Sequence, residues 1–202
     1  IEGALIEPLA VGFHAANQGG ARLGQKAVVM GAGCIGLMTL LALKAFGVTE
    51  VYVVDVMENR LAKAKELGAA GIINGKEQDA VEELMRATAG KGMDLCIDTA
   101  GSQITMNQCI GAAAKGAAVV FVGYSAQDQV SLDINNALNK ELTFKTVFRY
   151  RNLYPLAIEA VSQGLNVKGV VTDFFKFDDV RKAMDLSVSN KAEIVKAVLI
   201  LR

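Results

Sequence analysis

The apolar residues of this chain fall into two kinds of run that alternate along it. Ala27 to Met30 (AVVM), Val51 to Val54 (VYVV), Leu95 to Ile97 ahead of Asp98, and Ala118 to Val122 behind Ala117 are apolar at consecutive positions. A strand with one wet face would alternate, so continuous runs predict strands of a parallel sheet covered on both sides. Gly71 to Asn74 and Leu142 to Val147 add two further candidate strands. Between these runs the apolar positions recur at helical spacing. Ile35 to Phe46 is rich in Leu and Ala. Glu58 to Leu67 puts Leu61, Ala64 and Leu67 on one face, and Gly68 supplies a stop. Asp79 to Thr88 groups Val81, Leu84 and Met85. Ser102 is placed to cap a helix running to about Ala113, and Leu153 to Gln163 tolerates Pro155 in its first turn. Repeated strand–helix units predict an α/β fold with a doubly wound parallel sheet and right-handed crossovers.

The two ends depart from this pattern. Ile1 to Gly20 reads as a helix with Pro8 near its start, and Val195 to Leu201 (VKAVLIL) as an apolar strand after the last helix. Neither completes another strand–helix unit. The expected division is an entry helix over residues 1–20, a central domain over 21–190 and a returning strand over 191–202. Both ends would then reach toward a neighbouring domain, and Ile1 to Ile6 with Val195 to Leu201 would form an exposed apolar patch. The chain starts at Ile1, without Met and in mid-pattern, and reads as a piece of a longer protein.

Composition narrows the classes. Of 202 residues, 52% are hydrophobic and 21% charged, enough to bury a large core and too apolar for a disordered tail. Lys plus Arg and Asp plus Glu both total 21, so the basic excess of a nucleic-acid binder is missing and no such partner is expected. No apolar run reaches the ~18 residues of a membrane-spanning helix. Cys34, Cys96 and Cys109 contain no C-x-x-C pair, which argues against a Cys-based structural zinc within the chain. Their odd number fits a reducing, cytoplasmic setting, and all three read as buried small hydrophobes.

The chemistry is concentrated after the first strand. Met30 is followed by Gly31-Ala32-Gly33-Cys34-Ile35-Gly36, a G-x-G-x-x-G directly after a strand and directly opening a helix. Gly31 permits the tight turn, Gly33 lets a pyrophosphate approach the backbone, and Gly36 lets helix and strand pack closely. The helix N-terminus favours the phosphates. Asp55 ends the next strand, 19 residues after Gly36, where a carboxylate accepts the adenosine ribose hydroxyls of NAD and repels the 2′-phosphate of NADP. Arg60 is placed to stack near the adenine or reach a phosphate, or else is an exposed helix charge beside Glu58 or Glu66. A phosphate-free turn and a methyltransferase using S-adenosylmethionine are the competing readings of this segment. Together the segments define a Rossmann-type dinucleotide-binding domain.

Several stretches together resemble one family. These are Gly3 to Gly12 (GALIEPLAVG), VVMGAGCIGL with Asp55, Arg60 to Ala69 (RLAKAKELGA), Cys96 to Gly101 (CIDTAG), Phe121 to Gly123 and Val147 to Tyr150 (VFRY). Over essentially the whole chain they resemble the cofactor-binding half of zinc-dependent medium-chain dehydrogenases. IEPL and VFRY point to the sorbitol/xylitol branch of polyol dehydrogenases. The resemblance implies that Gly31, Gly33, Ile35, Gly36, Asp55 and Arg60 meet the adenosine and pyrophosphate side of NAD. It implies that Val122, Gly123, Tyr124, Val147, Phe148 and Arg149 meet the nicotinamide side. Arg149 and Tyr150 would meet the polyol hydroxyls. Glu7 would stand at the catalytic zinc, as a ligand or holding the zinc-bound water, and pair with Arg149. Without the resemblance Glu7 is a plain helix N-terminal charge. His14, the single histidine, reads as packed on its helix, since no second metal ligand lies near it in sequence.

The implied reaction is hydride transfer from a secondary alcohol to NAD, with zinc lowering the alcohol pKa. The family's other zinc ligands precede this segment, so the isolated chain is expected to bind NAD and be close to inactive. A homo-oligomer, dimer or tetramer, is expected. A stand-alone NAD-binding regulatory module and a zinc-free NADP-dependent reductase are the alternative classes, the second opposed by Asp55, Glu7 and VFRY.

Overall fold

The computed structural model describes residues 1–190 and 193–201. Lys191, Ala192 and Arg202, at the edges of the expected 191–202 segment, lie outside the described residues. A single turn of 3-10 helix over Glu2–Leu5 leads into α1 (Ile6–Gln18). Six strands follow: β1 (Lys26–Met30), β2 (Glu50–Asp55), β3 (Gly71–Asn74), β4 (Met93–Asp98), β5 (Ala113–Phe121) and β6 (Thr143–Thr146). They pair in the order β3-β2-β1-β4-β5-β6, every pair parallel. The helices between and after them are α2 (Cys34–Ala45), α3 (Glu58–Glu66), α4 (Ala80–Ala87), α5 (Gln103–Ala112), α6 (Ile134–Asn139) and α7 (Tyr154–Ser162). Chain order reverses between β1 and β4. In a sheet of this kind the crevice for a ligand opens there, beyond the C-terminal strand ends. The expected doubly wound, Rossmann-type sheet is the observed one.

The continuous apolar strands have the cause the sequence implied. In β1, Ala27 and Val29 enter one core layer, with α1 and α2, while Val28 and Met30 enter the other, with α4 and α5. Alternate residues point to opposite faces, and both faces are covered. α2 is buried at every position from Gly36 to Leu43, because the sheet covers one side of it and α1 the other. The helix starts follow local capping chemistry. The Asp79 carboxylate accepts from Val81 N–H at 2.9 Å and Glu82 N–H at 3.0 Å. Ser102 and Thr105 form a reciprocal capping box at α5.

Several expectations need correction. β5 begins at Ala113 and slips register against β4 between Met93 and Leu95, and Val122 lies just past its end. β6 spans four residues, all exposed, because it is an edge strand with a neighbour on one side only. The chain after α7 builds a small parallel pair, β7 (Asp173–Lys176) with β8 (Ala197–Ile200), and α8 (Val180–Ser189) between them. The expected apolar patch at the ends is narrower. Leu5, Ile6 and Val198 are buried in this chain's own core, leaving Ile1 exposed, and Ile200 and Leu201 exposed beside Phe174 and Phe177. Among the described residues no helix is long and apolar enough to cross a membrane.

Candidate functional site

The glycine turn sits at the order reversal. Gly31 has φ +98°, a left-handed conformation, and its N–H donates to Val54 O at 2.7 Å. A Cβ on Gly36 would collide with the Gly31 carbonyl and lie 2.9 Å from the Thr99 hydroxyl, so the close helix–strand approach excludes a side chain. Gly33 is different. Its φ of −71° and ψ of −177° suit any residue, and a Cβ there would meet nothing within 4 Å. Neither conformation nor packing requires glycine at position 33.

Asp55 ends β2 and faces the turn. Its Oδ2 accepts from Ala32 N–H at 2.6 Å, and its Oδ1 from Val56 N–H at 2.7 Å and Met57 N–H at 2.9 Å. A carboxylate offers about four acceptor sites, so this one braces the turn and keeps capacity for an incoming hydroxyl. Gly31, Gly33, Asp55 and Arg60 line a cavity of about 500 Å³ together with Thr99 and Ser102. A second cavity, of about 450 Å³, is lined by Ile35, Val122, Gly123, Tyr124, Val147, Phe148 and Arg149, and again by Thr99. The Thr99 hydroxyl donates to Met30 O at 2.9 Å. The two cavities therefore adjoin at Thr99 beside the glycine turn. Gly36 is buried beneath the turn and lines neither.

The second cavity is held by strand-end contacts. The Asp98 carbonyl accepts from Val122 N–H at 2.8 Å and Gly123 N–H at 3.1 Å. The fully buried Asp98 side chain accepts from Gly101 N–H at 3.0 Å through Oδ2. Its Oδ1 has no hydrogen-bond partner among the described residues, and burial pushes the carboxyl above its ordinary range. Tyr124 and Phe148 stand out into solvent.

The substrate-side residues come together only in part. Glu7 is exposed in the first turn of α1 and lines neither cavity. Its charge is nonetheless felt at Tyr154 and at Cys34. Tyr150 packs edge-on to Tyr154, ring centroids 4.7 Å apart. The Tyr150 hydrogen bond, then burial, then the charges of Tyr150 and, last, Glu7 hold the Tyr154 hydroxyl up at about 12. The expected Glu7–Arg149 ion pair is not among the ion pairs of the described residues. Arg149 has φ +55°, and its guanidinium turns back over the Phe148 ring at 5.2 Å. Cys34 is half-buried at the first residue of α2, unlike the fully buried Cys96 and Cys109. Burial raises all three thiols, Cys96 to about 12. His14 is buried on α1, as expected, and contacts the Arg149 carbonyl.

Thr99 lines both cavities, the Asp98 carbonyl holds Val122 and Gly123 beside the second, and Tyr154 packs on Tyr150, and the three were not singled out individually. For the first two the signal lies only in the order of strands: Asp98 is the last residue of β4 and Thr99 the next, beside the reversal. Tyr154 follows Tyr150 by four residues, but Tyr150 precedes the helix, so no helical periodicity links them. Among the described residues no group of three or more His, Cys, Asp or Glu side chains is placed to hold a metal ion.

A family model described as zinc-binding dehydrogenase matches residues 34–163 of this chain. The chain belongs to the zinc-binding dehydrogenase family. It is 44% identical over 200 residues to an uncharacterized zinc-type alcohol dehydrogenase-like protein, YdjJ, of Escherichia coli (strain K12), covering 98% of this chain and 57% of that protein. It is 35% identical over 199 residues to a sorbitol dehydrogenase of Bacillus subtilis (strain 168), covering 98% of this chain and 56% of that one. A solved structure described as a short chain alcohol dehydrogenase from E. coli CFT073, complexed with the cofactor NADH, superposes with a TM-score of 0.90 at 28% identity. That match covers 98% of this chain and 58% of the other. This chain thus spans little more than half the length of the relatives it matches.

Proposed function

We propose that this chain is the NAD-binding part of a zinc-dependent polyol dehydrogenase of the sorbitol/xylitol type, which oxidises a secondary alcohol to a ketone. The observation that carries the cofactor reading is Gly33. Its glycine has no conformational or packing cause, and a side chain there would project into the open space where the helix N-terminus favours phosphates. Asp55, at the end of β2, favours NAD over NADP by accepting ribose hydroxyls. An NADH complex of a structural neighbour and a sorbitol dehydrogenase relative support the same reading.

In this reading the backbone over Gly31, Gly33 and Ile35 receives the pyrophosphate, Gly36 supports the turn from beneath, and Asp55 and Arg60 stand on the adenosine side. Val122, Gly123, Tyr124, Val147 and Phe148 position the nicotinamide ring. Arg149 and Tyr150 orient the polyol hydroxyls. Bound NAD supplies the hydride acceptor. Glu7 by itself does not make a zinc site, which needs three protein ligands or more. We assign it one carboxylate of a site completed by residues outside this chain. The regions over 1–20 and 191–202 would reach toward the domain that supplies them. The whole protein is read as a cytoplasmic homo-oligomer, a dimer or tetramer.

Calorimetric titration with NAD and NADP tests the reading. NAD is expected to bind in the micromolar to millimolar range and NADP more weakly, with Asp55→Ala removing the preference. A preference for NADP in the wild type contradicts the assignment of Asp55. A polyol panel on the full-length protein with zinc then tests the substrate class.

A further inference from the structure

His14 is the chain's single histidine, it is buried, and the function proposed above leaves it idle. Its Nδ1 lies 3.1 Å from the carbonyl oxygen of Arg149, 135 residues away. A carbonyl oxygen only accepts, so Nδ1 carries the proton. Nε2 of Gln18, one turn along the same helix, lies 3.2 Å from the His14 Nε2. An amide nitrogen only donates, so the His14 Nε2 is the acceptor. Both contacts select the same tautomer, with the proton on Nδ1.

The group held in this way is unusual. Arg149 has φ +55°, a left-handed conformation that a long side chain keeps only where its surroundings enforce it. Its peptide follows Val147 and Phe148, which line the second cavity with Arg149 itself, and precedes Tyr150. One imidazole N–H on the rigid, core-packed α1 therefore pins the loop where the last sheet strand ends.

We propose that His14 is a positioning residue. Its Nδ1–H fixes the Arg149 carbonyl, which holds Phe148 and Arg149 in the shape that receives the nicotinamide ring and the alcohol beside it. The proposal rests on the dinucleotide reading given above.

Three substitutions in the full-length protein separate the donor from the bulk. His14→Asn keeps an N–H where Nδ1 stood. His14→Gln extends its amide to the Nε2 position instead. His14→Phe fills the volume with no donor. Each variant is titrated with NAD and with ADP-ribose, which lacks the nicotinamide ring, and assayed for kcat and KM with a polyol. ADP-ribose affinity is expected to be unchanged throughout. NAD affinity or kcat is expected to fall about tenfold in His14→Phe and His14→Gln, the scale of one buried hydrogen bond, and to be largely restored in His14→Asn. If His14→Phe matches wild type, the positioning role is wrong. It is equally wrong if His14→Asn is as poor as His14→Phe, or if ADP-ribose affinity falls in step with NAD. Should His14→Phe fail to fold, the Asn–Gln pair decides alone. Wild type that binds neither ligand overturns the dinucleotide reading and this proposal with it, whereas wild type that binds both leaves only His14 in question.

Discussion

Of the three glycines in the turn, two are explained by the protein alone and one is not. Gly31 needs its left-handed φ and Gly36 its lack of a side chain against the Gly31 carbonyl, whereas Gly33 needs neither. The three positions should therefore respond differently to substitution. Gly33→Val is expected to leave the melting temperature unchanged and abolish NAD binding. Gly36→Ala is expected to cost about 1–3 kcal/mol of stability by overpacking, read by denaturant titration. If Gly33→Val bound NAD like wild type, the phosphate assignment would be wrong. This pair is cleaner than substitution of Asp55, whose carboxylate also accepts three backbone N–H groups and supports the turn as well as any ligand.

Among the elements, legibility tracked how self-sufficient each segment is. Helices with their own caps were readable to within a residue or two: Ser102 precedes α5 as the sequence implied, and Asp79, read as the first helical residue, is the cap just before α4. Asp79→Ala is expected to cost about 1 kcal/mol, measured as a shift in the urea midpoint at constant slope. The central strands were readable because burial on both faces leaves a continuous apolar run. β6 falls inside the candidate strand Leu142 to Val147 despite its exposure, whereas β7, exposed at every second residue, and α6, only six residues long, carry no such run. The site divides in the same way. Gly31 to Gly36 and Asp55 announce themselves by spacing within one strand–turn–helix–strand unit. Thr99 and Asp98 matter through the order of strands, which no local pattern encodes. The contact from His14 to the Arg149 carbonyl spans most of the chain, and it depends on the register with which α1 packs. Arg149's turn toward Phe148 depends on a left-handed backbone that nothing in the VFRY residues demands.

At the scale of the whole molecule, one sheet divides two apolar layers, and both candidate cavities lie at the point where strand order reverses. β6 leaves one exposed sheet edge, and Phe174, Phe177 and Leu201 are exposed near the C-terminal end. α2 has the opposite character, with eight consecutive buried positions from Gly36 to Leu43. No local opening can wet such a helix without separating it from both the sheet and α1. In deuterated buffer its backbone amides are expected to exchange last, at the rate of global unfolding, and well after those of α8. Amides of α2 that exchanged as fast as those of α8 would contradict this. The glycine turn at its N-terminus is therefore anchored to the slowest-opening part of the molecule. Under the proposed cofactor role, a dinucleotide would leave by motion of the surrounding loops while the turn itself persists for as long as the protein stays folded.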